Sequence, residues 1–202
     1  MLYRIPQLMG KGRPVSVLFT GEEGERSSLL YCELIQRARS GESFMIKNQG
    51  CKVGAYVLGE TENAPVDYYF KSGRYDNTDA ASRAVFTLHR LDLKQHSIKI
   101  SPYSGGDFDV LILFLKPASA MRLIQACTYM KGKPVEFKTG GIASICSDCT
   151  ACPAQGNTGI SLGCKGSRKH SNYPDEELPV GIPSRLAGEI ETALGKIPGT
   201  LS

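Results

Sequence analysis

The chain has 202 residues, enough for one generous domain that buries roughly 70% of its unfolded surface without staples. Hydrophobic residues make up 41% and charged residues 22%, the balance of a folded protein and not of a disordered one. The net charge is only +4 and its basic residues are scattered, which argues against a nucleic-acid binder.

The first residues, MLYRIPQLMG, break at Pro6 and hold no apolar stretch of signal length, so a reducing cytoplasm is the expected setting. Val15 to Phe19 is β-branched and apolar, the mark of a buried strand. A turn at Gly21–Gly24 leads into an expected helix from Arg26 to Arg39, with Leu30, Leu34 and Ala38 on its apolar face and Gly41 as its stop. Ser43 to Lys47 predicts a second strand, and the turn after it delivers Cys51 into the small-residue segment GAYVLGE. Tyr68 to Tyr75 is aromatic and basic, turning at Gly73.

Thr78 is the expected cap of a helix from Asp79 to about His89. Ile98 and Ile100 alternate as a short strand. Val110 to Leu115 is the strongest strand signal and also the longest apolar run, well short of the ~20 residues a membrane span requires. Pro117 opens a helix expected to reach about Met130. A cysteine-rich segment occupies 142–170, followed by a strand at Leu178–Ile182 and a last helix from Ser184 to Leu194. Interleaved strands and helices without repeats or linkers predict one α/β (mixed α+β) domain over 1–202, a central mixed sheet flanked by helices.

Seven cysteines are too few for a disulfide scaffold and odd in number, which in a reducing compartment points to metal or redox chemistry. Cys146, Cys149 and Cys152 follow one another at intervals of three, and Cys164 comes after a glycine-rich loop. On an α-helix such thiols stay on one face, each displaced by about 60°. The pattern resembles bacterial-ferredoxin [4Fe–4S] spacing, except that Pro153 follows the third cysteine and not the distant one. A [4Fe–4S] cluster on Cys146, Cys149, Cys152 and Cys164 is the leading expectation. Zinc is the alternative metal, and Cys32 and Cys51 are alternative ligands. Cys127, midway along an apolar helix face, belongs to the core.

The expected partner is a redox protein or a small anionic ligand, with Arg74, Arg168 and Lys169 as the anion-binding candidates. The cluster Lys165–His170 otherwise reads as a solvated loop. Asp107 and Asp109 mark a wet strand start more than a Mg²⁺ site. His89, His96 and His170 form no pair with ligand spacing, and neither GxSxG nor HExxH occurs. Other expectations for this chain are a cysteine-dependent enzyme and a zinc-stabilised interaction module.

Several motifs recur together: Cys32; Gly50-Cys51-x-x-Gly54-Ala-Tyr-x-Leu-Gly59; Gly73-Arg-Tyr75; Pro117-Ala-x-Ala-Met-Arg-Leu-Ile-Gln-Ala126; Cys146-Ser-Asp; Gly163-Cys-x-Gly-Ser-Arg168; and Glu177-Leu-x-Val-Gly-Ile-Pro183. The set resembles the uncharacterised prokaryotic ArCR family along nearly the whole chain. The resemblance implies no established activity. It does imply shared cysteines at Cys32, Cys51, Cys146 and Cys164, with Cys149 and Cys152 as departures. Two ligand sets therefore stand open: the local run with Cys164, or the four shared thiols.

Overall fold

Six consecutive apolar residues leave the strand Val110–Leu115 with no polar face, so it is stable only where both faces are covered. The computed structural model, which describes residues 1–92, 97–129 and 131–198, places it so. Val110, Ile112 and Phe114 enter one core, and Leu111, Leu113 and Leu115 enter a second core on the opposite face. His96 and Met130 lie outside the described residues.

In chain order the elements begin with α1 (Arg4–Gln7), β1 (Val15–Thr20), β2 (Glu25–Arg26), α2 (Tyr31–Arg39) and β3 (Phe44–Asn48). Next come α3 (Lys52–Val57), α4 (Val66–Lys71), α5 (Thr78–Phe86), β4 (Ser97–Pro102), β5 (Val110–Leu115) and α6 (Pro117–Tyr129). A π-helical segment, Ser144–Ala151, runs directly into α7 (Cys152–Ala154). The chain then forms β6 (Gly159–Ile160), α8 (Lys165–Ser171), β7 (Leu178–Pro183) and α9 (Ser184–Leu194). The strands make one mixed seven-stranded sheet in the order β2-β3-β4-β1-β5-β7-β6. Among the described strands only β2 and β3 pair in parallel. Helices α1, α6 and α9 supply the core on one face; α2 to α5 and the π-helical segment supply the other. Among the described residues no helix is long and apolar enough to cross a membrane.

Several local expectations shift. Arg26 belongs to β2, so α2 starts at Tyr31, where the Glu33 carboxylate accepts the Leu30 N–H at 2.8 Å. Asn77, not Thr78, caps α5, accepting the Ala80 N–H at 2.9 Å. Helix α5 ends at Phe86, short of His89. The basic stretch after Cys164 is helix α8, not a loop.

The short helix α1 is held from outside. Glu191 of α9 accepts the backbone N–H groups of Tyr3, Arg4 and Ile5 at 3.0, 2.7 and 3.0 Å. Burial would raise the Glu191 carboxyl, but these donors and Arg4 outweigh it and hold it below the usual range. A depressed carboxyl stabilises the fold above the unfolded value and loses that contribution as pH falls through the folded one. Glu191→Gln is therefore expected to cost about 1 kcal/mol at neutral pH in urea denaturation. The difference from the native chain should shrink once the pH drops below the ordinary carboxyl value of ~4.3.

Candidate four-cysteine site

Four thiols from four separate parts of the chain line one pocket on the α2 face of the sheet: Cys32, Cys51, Cys146 and Cys164. Cys32 sits in the first turn of α2. Cys51 is the N-cap of α3, its sulfur accepting the Gly54 N–H at 3.4 Å. Cys164 caps α8 in the same manner, accepting from Ser167 N at 3.3 Å, while Ser167 Oγ accepts the Cys164 N–H at 2.9 Å. Cysteine here takes the place of the usual Ser or Asp cap, so two sulfurs are fixed by backbone donors. Cys146 reaches the pocket from the π-helical segment.

The framework that gathers these groups is polar and specific. Buried Gln49 accepts the Cys51 N–H at 2.6 Å and the Tyr31 N–H at 3.3 Å, and donates to Cys51 O at 2.9 Å, tying α3 to the start of α2. Gly50 allows this approach, since a Cβ there would stand 2.3 Å from Ser28 O. The Tyr31 and Thr150 hydroxyls meet at 3.1 Å, and Ser171 Oγ donates to Cys32 O at 2.7 Å, which joins α2 to the π-helical segment and to α8. Nothing in the local sequence of Gln49 announced this role.

The π-helical segment also separates the consecutive thiols. A π turn bonds i to i+5 and holds about 4.4 residues, so thiols three apart rotate by roughly 115° and no longer share a face. The Thr150 hydroxyl reinforces the wide turn by donating to Ile145 O at 2.8 Å. Cys146 therefore faces the pocket, whereas the Cys149 thiol points to the sheet and donates to Pro179 O at 3.2 Å. The backbone at Asp148 presses so close to β6 that a Cβ at Gly159 would lie 1.7 Å from Asp148 O. Cys152 stands beside Asp148 and does not line the pocket. The structure thus brings Cys146 and Cys164 together with Cys32 and Cys51 and leaves Cys149 and Cys152 elsewhere.

Burial pushes the Cys146 thiol well up, and charge on Cys32, Cys51 and Cys164 adds to the shift. Burial likewise raises Cys32, with Cys164 and Cys51 as the next causes. Away from the pocket, burial and then Asp148 push Cys152 up to about 11. Cys32 and Cys146 would have to lose their protons to bind a metal, so loading would release protons to solvent. No three His, Cys, Asp or Glu side chains among the described residues are already gathered as a metal-holding group. The thiols surround a cavity of about 60 Å³ instead.

The anion-binding candidates separate in the same way. Arg74 lines the pocket, stacked 5.4 Å over Tyr68 and 5.5 Å over Tyr69, and donates to Ser72 Oγ at 3.1 Å. Lys165, beside Cys164, also lines it. Arg168 is a fastener: it donates to Pro174 O and Leu162 O, both at 2.9 Å, and stacks on Tyr173. Lys169 is exposed and lies outside the pocket lining. Asp109 accepts the Phe19 N–H at 2.7 Å, a structural role. His89 bonds Gln155 at 2.9 Å, and His170 lies 3.9 Å from Glu33. Cys127 is half-buried against the second core, beside the Thr158 hydroxyl.

A family model described as uncharacterised ArCR matches residues 7–193. An uncharacterised protein of Methanocaldococcus jannaschii is 30% identical over 175 residues, covering 81% of this chain and 75% of that protein. No solved structure matches.

Proposed function

The chain belongs to the uncharacterised ArCR family, and we propose that it binds an iron–sulfur cluster of the [4Fe–4S] type and serves as an electron-transfer accessory to a redox partner. The ligands in this reading are Cys32, Cys51, Cys146 and Cys164. One observation carries it: four thiols separated in sequence line a single pocket. Thiolates are the protein ligands of such clusters. When bound, the cluster supplies a one-electron couple.

The surroundings of the thiols suit a negatively charged thiolate centre. Backbone N–H donors already meet Cys51 and Cys164, while Arg74 and Lys165 at the pocket offset negative charge. The chain's own residues thus hold, shield and tune the centre.

The test is anaerobic reconstitution of the full chain with ferrous iron and sulfide, then desalting and assay of iron, acid-labile sulfide and zinc. About four irons with matching sulfide and a broad visible absorption are expected. One tightly held zinc and no iron would replace the reading with a zinc-stabilised module. Protein that retains neither metal would overturn it.

A further inference from the structure

Ser144 and Tyr69 are among the residues that line the same pocket as the four sulfurs. Ser144 is fully buried, and its Oγ has no hydrogen-bond partner among the described residues. Leaving such a group unpaired costs about 1–3 kcal/mol, so buried hydroxyls are kept where something else accepts from them. Tyr69 is only 3% exposed, and its hydroxyl lies near enough to Cys146, Cys164 and Cys51 to feel their charge. No protein group among the described residues bonds that hydroxyl. The Arg74 guanidinium stands 5.5 Å over the Tyr69 ring.

We infer that the Ser144 and Tyr69 hydroxyls donate hydrogen bonds to the sulfurs of the bound cluster and raise its reduction potential. The inference rests on the cluster reading above. Reduction adds one electron and makes the centre more negative, so a donor aimed at its sulfurs stabilises the reduced form more than the oxidised form. Both residues are positioning groups: they touch the centre and tune it without supplying a ligand.

The experiment is a potentiometric titration of the reconstituted full chain in native form and as Ser144→Ala, Tyr69→Phe, the double variant and Ser144→Thr. Each single variant is expected to lower the midpoint potential at unchanged iron content. The double variant should fall further than either, and Ser144→Thr, which keeps a hydroxyl, should return towards the native value. Tyr69→Phe removes only the hydroxyl oxygen, so it stays informative should Ser144→Ala disturb the helix. Loaded variants whose potentials equal or exceed the native value would overturn the hydroxyl assignment alone. A native chain that takes up no iron would overturn the cluster reading and this inference together.

Discussion

Serine in place of Cys32, Cys51, Cys146 or Cys164 is expected to reduce bound iron from about four to below one per chain. The same exchange at Cys127, Cys149 or Cys152 should leave it unchanged. The chemistry of the caps makes this comparison clean. Cys51 and Cys164 each accept a backbone N–H at the start of a helix, and serine fills that role at least as well as cysteine. Helices α3 and α8 should therefore survive substitution while the thiolate is lost. Circular dichroism of these two variants should match the native spectrum. At Cys149 a serine hydroxyl can donate to Pro179 O as the thiol does, so the fold tolerates the control. Loss of iron from Cys149→Ser and Cys152→Ser, with retention in Cys32→Ser and Cys51→Ser, would restore the consecutive-cysteine ligand set and refute the four-thiol one.

The two ligand sets were indistinguishable in the sequence for a physical reason. Thiols three apart share a face on an α-helix, and the hydrophobic pattern gives no sign that Ser144–Ala151 winds with the wider π turn. That turn is held by the Thr150 hydroxyl on Ile145 O within the segment and by tertiary contacts of Tyr31 with Thr150 and of Gly159 with Asp148 O. Long elements were legible because their signals are redundant. The apolar run of β5 and the proline-opened α6 and α9 appear with starts and ends close to those expected. Short elements were not. Helices α3, α4 and α8 hold six, six and seven residues, too few for a periodic stripe, and each is stabilised by a cap or by docking. The family resemblance implied cysteines at Cys32, Cys51, Cys146 and Cys164, and these are the four that line one pocket. Gln49, Tyr69 and Ser144 gain their roles only from neighbours distant in sequence, so no local pattern exposed them.

Removing either partner of the buried Arg39–Glu177 ion pair is expected to destabilise the protein by about 3–5 kcal/mol, a large share of a typical total of 5–15 kcal/mol. The two side chains are 5% and 3% exposed, and Arg39 Nη2 lies 2.8 Å from Glu177 Oε2 and 3.0 Å from Oε1. The same guanidinium donates to Lys11 O at 2.9 Å and stacks 4.6 Å over the Phe114 ring. Glu177→Gln or Arg39→Met strands one charge without its counterpart in an apolar site, and that stranded charge sets the size of the loss. The double variant Arg39→Met/Glu177→Leu should recover much of it, because the desolvation penalty disappears with both charges. Urea denaturation of the single and double variants measures the effect, and single variants within 1 kcal/mol of native would refute it. The position of the pair links it to the thiols. Arg39 ends the helix that begins beside Cys32, and Glu177 fixes the chain that returns from Cys164 and α8 to β7. The clamp thus holds two pocket walls against each other, so the single variants should also load less iron on reconstitution, although neither residue touches a sulfur.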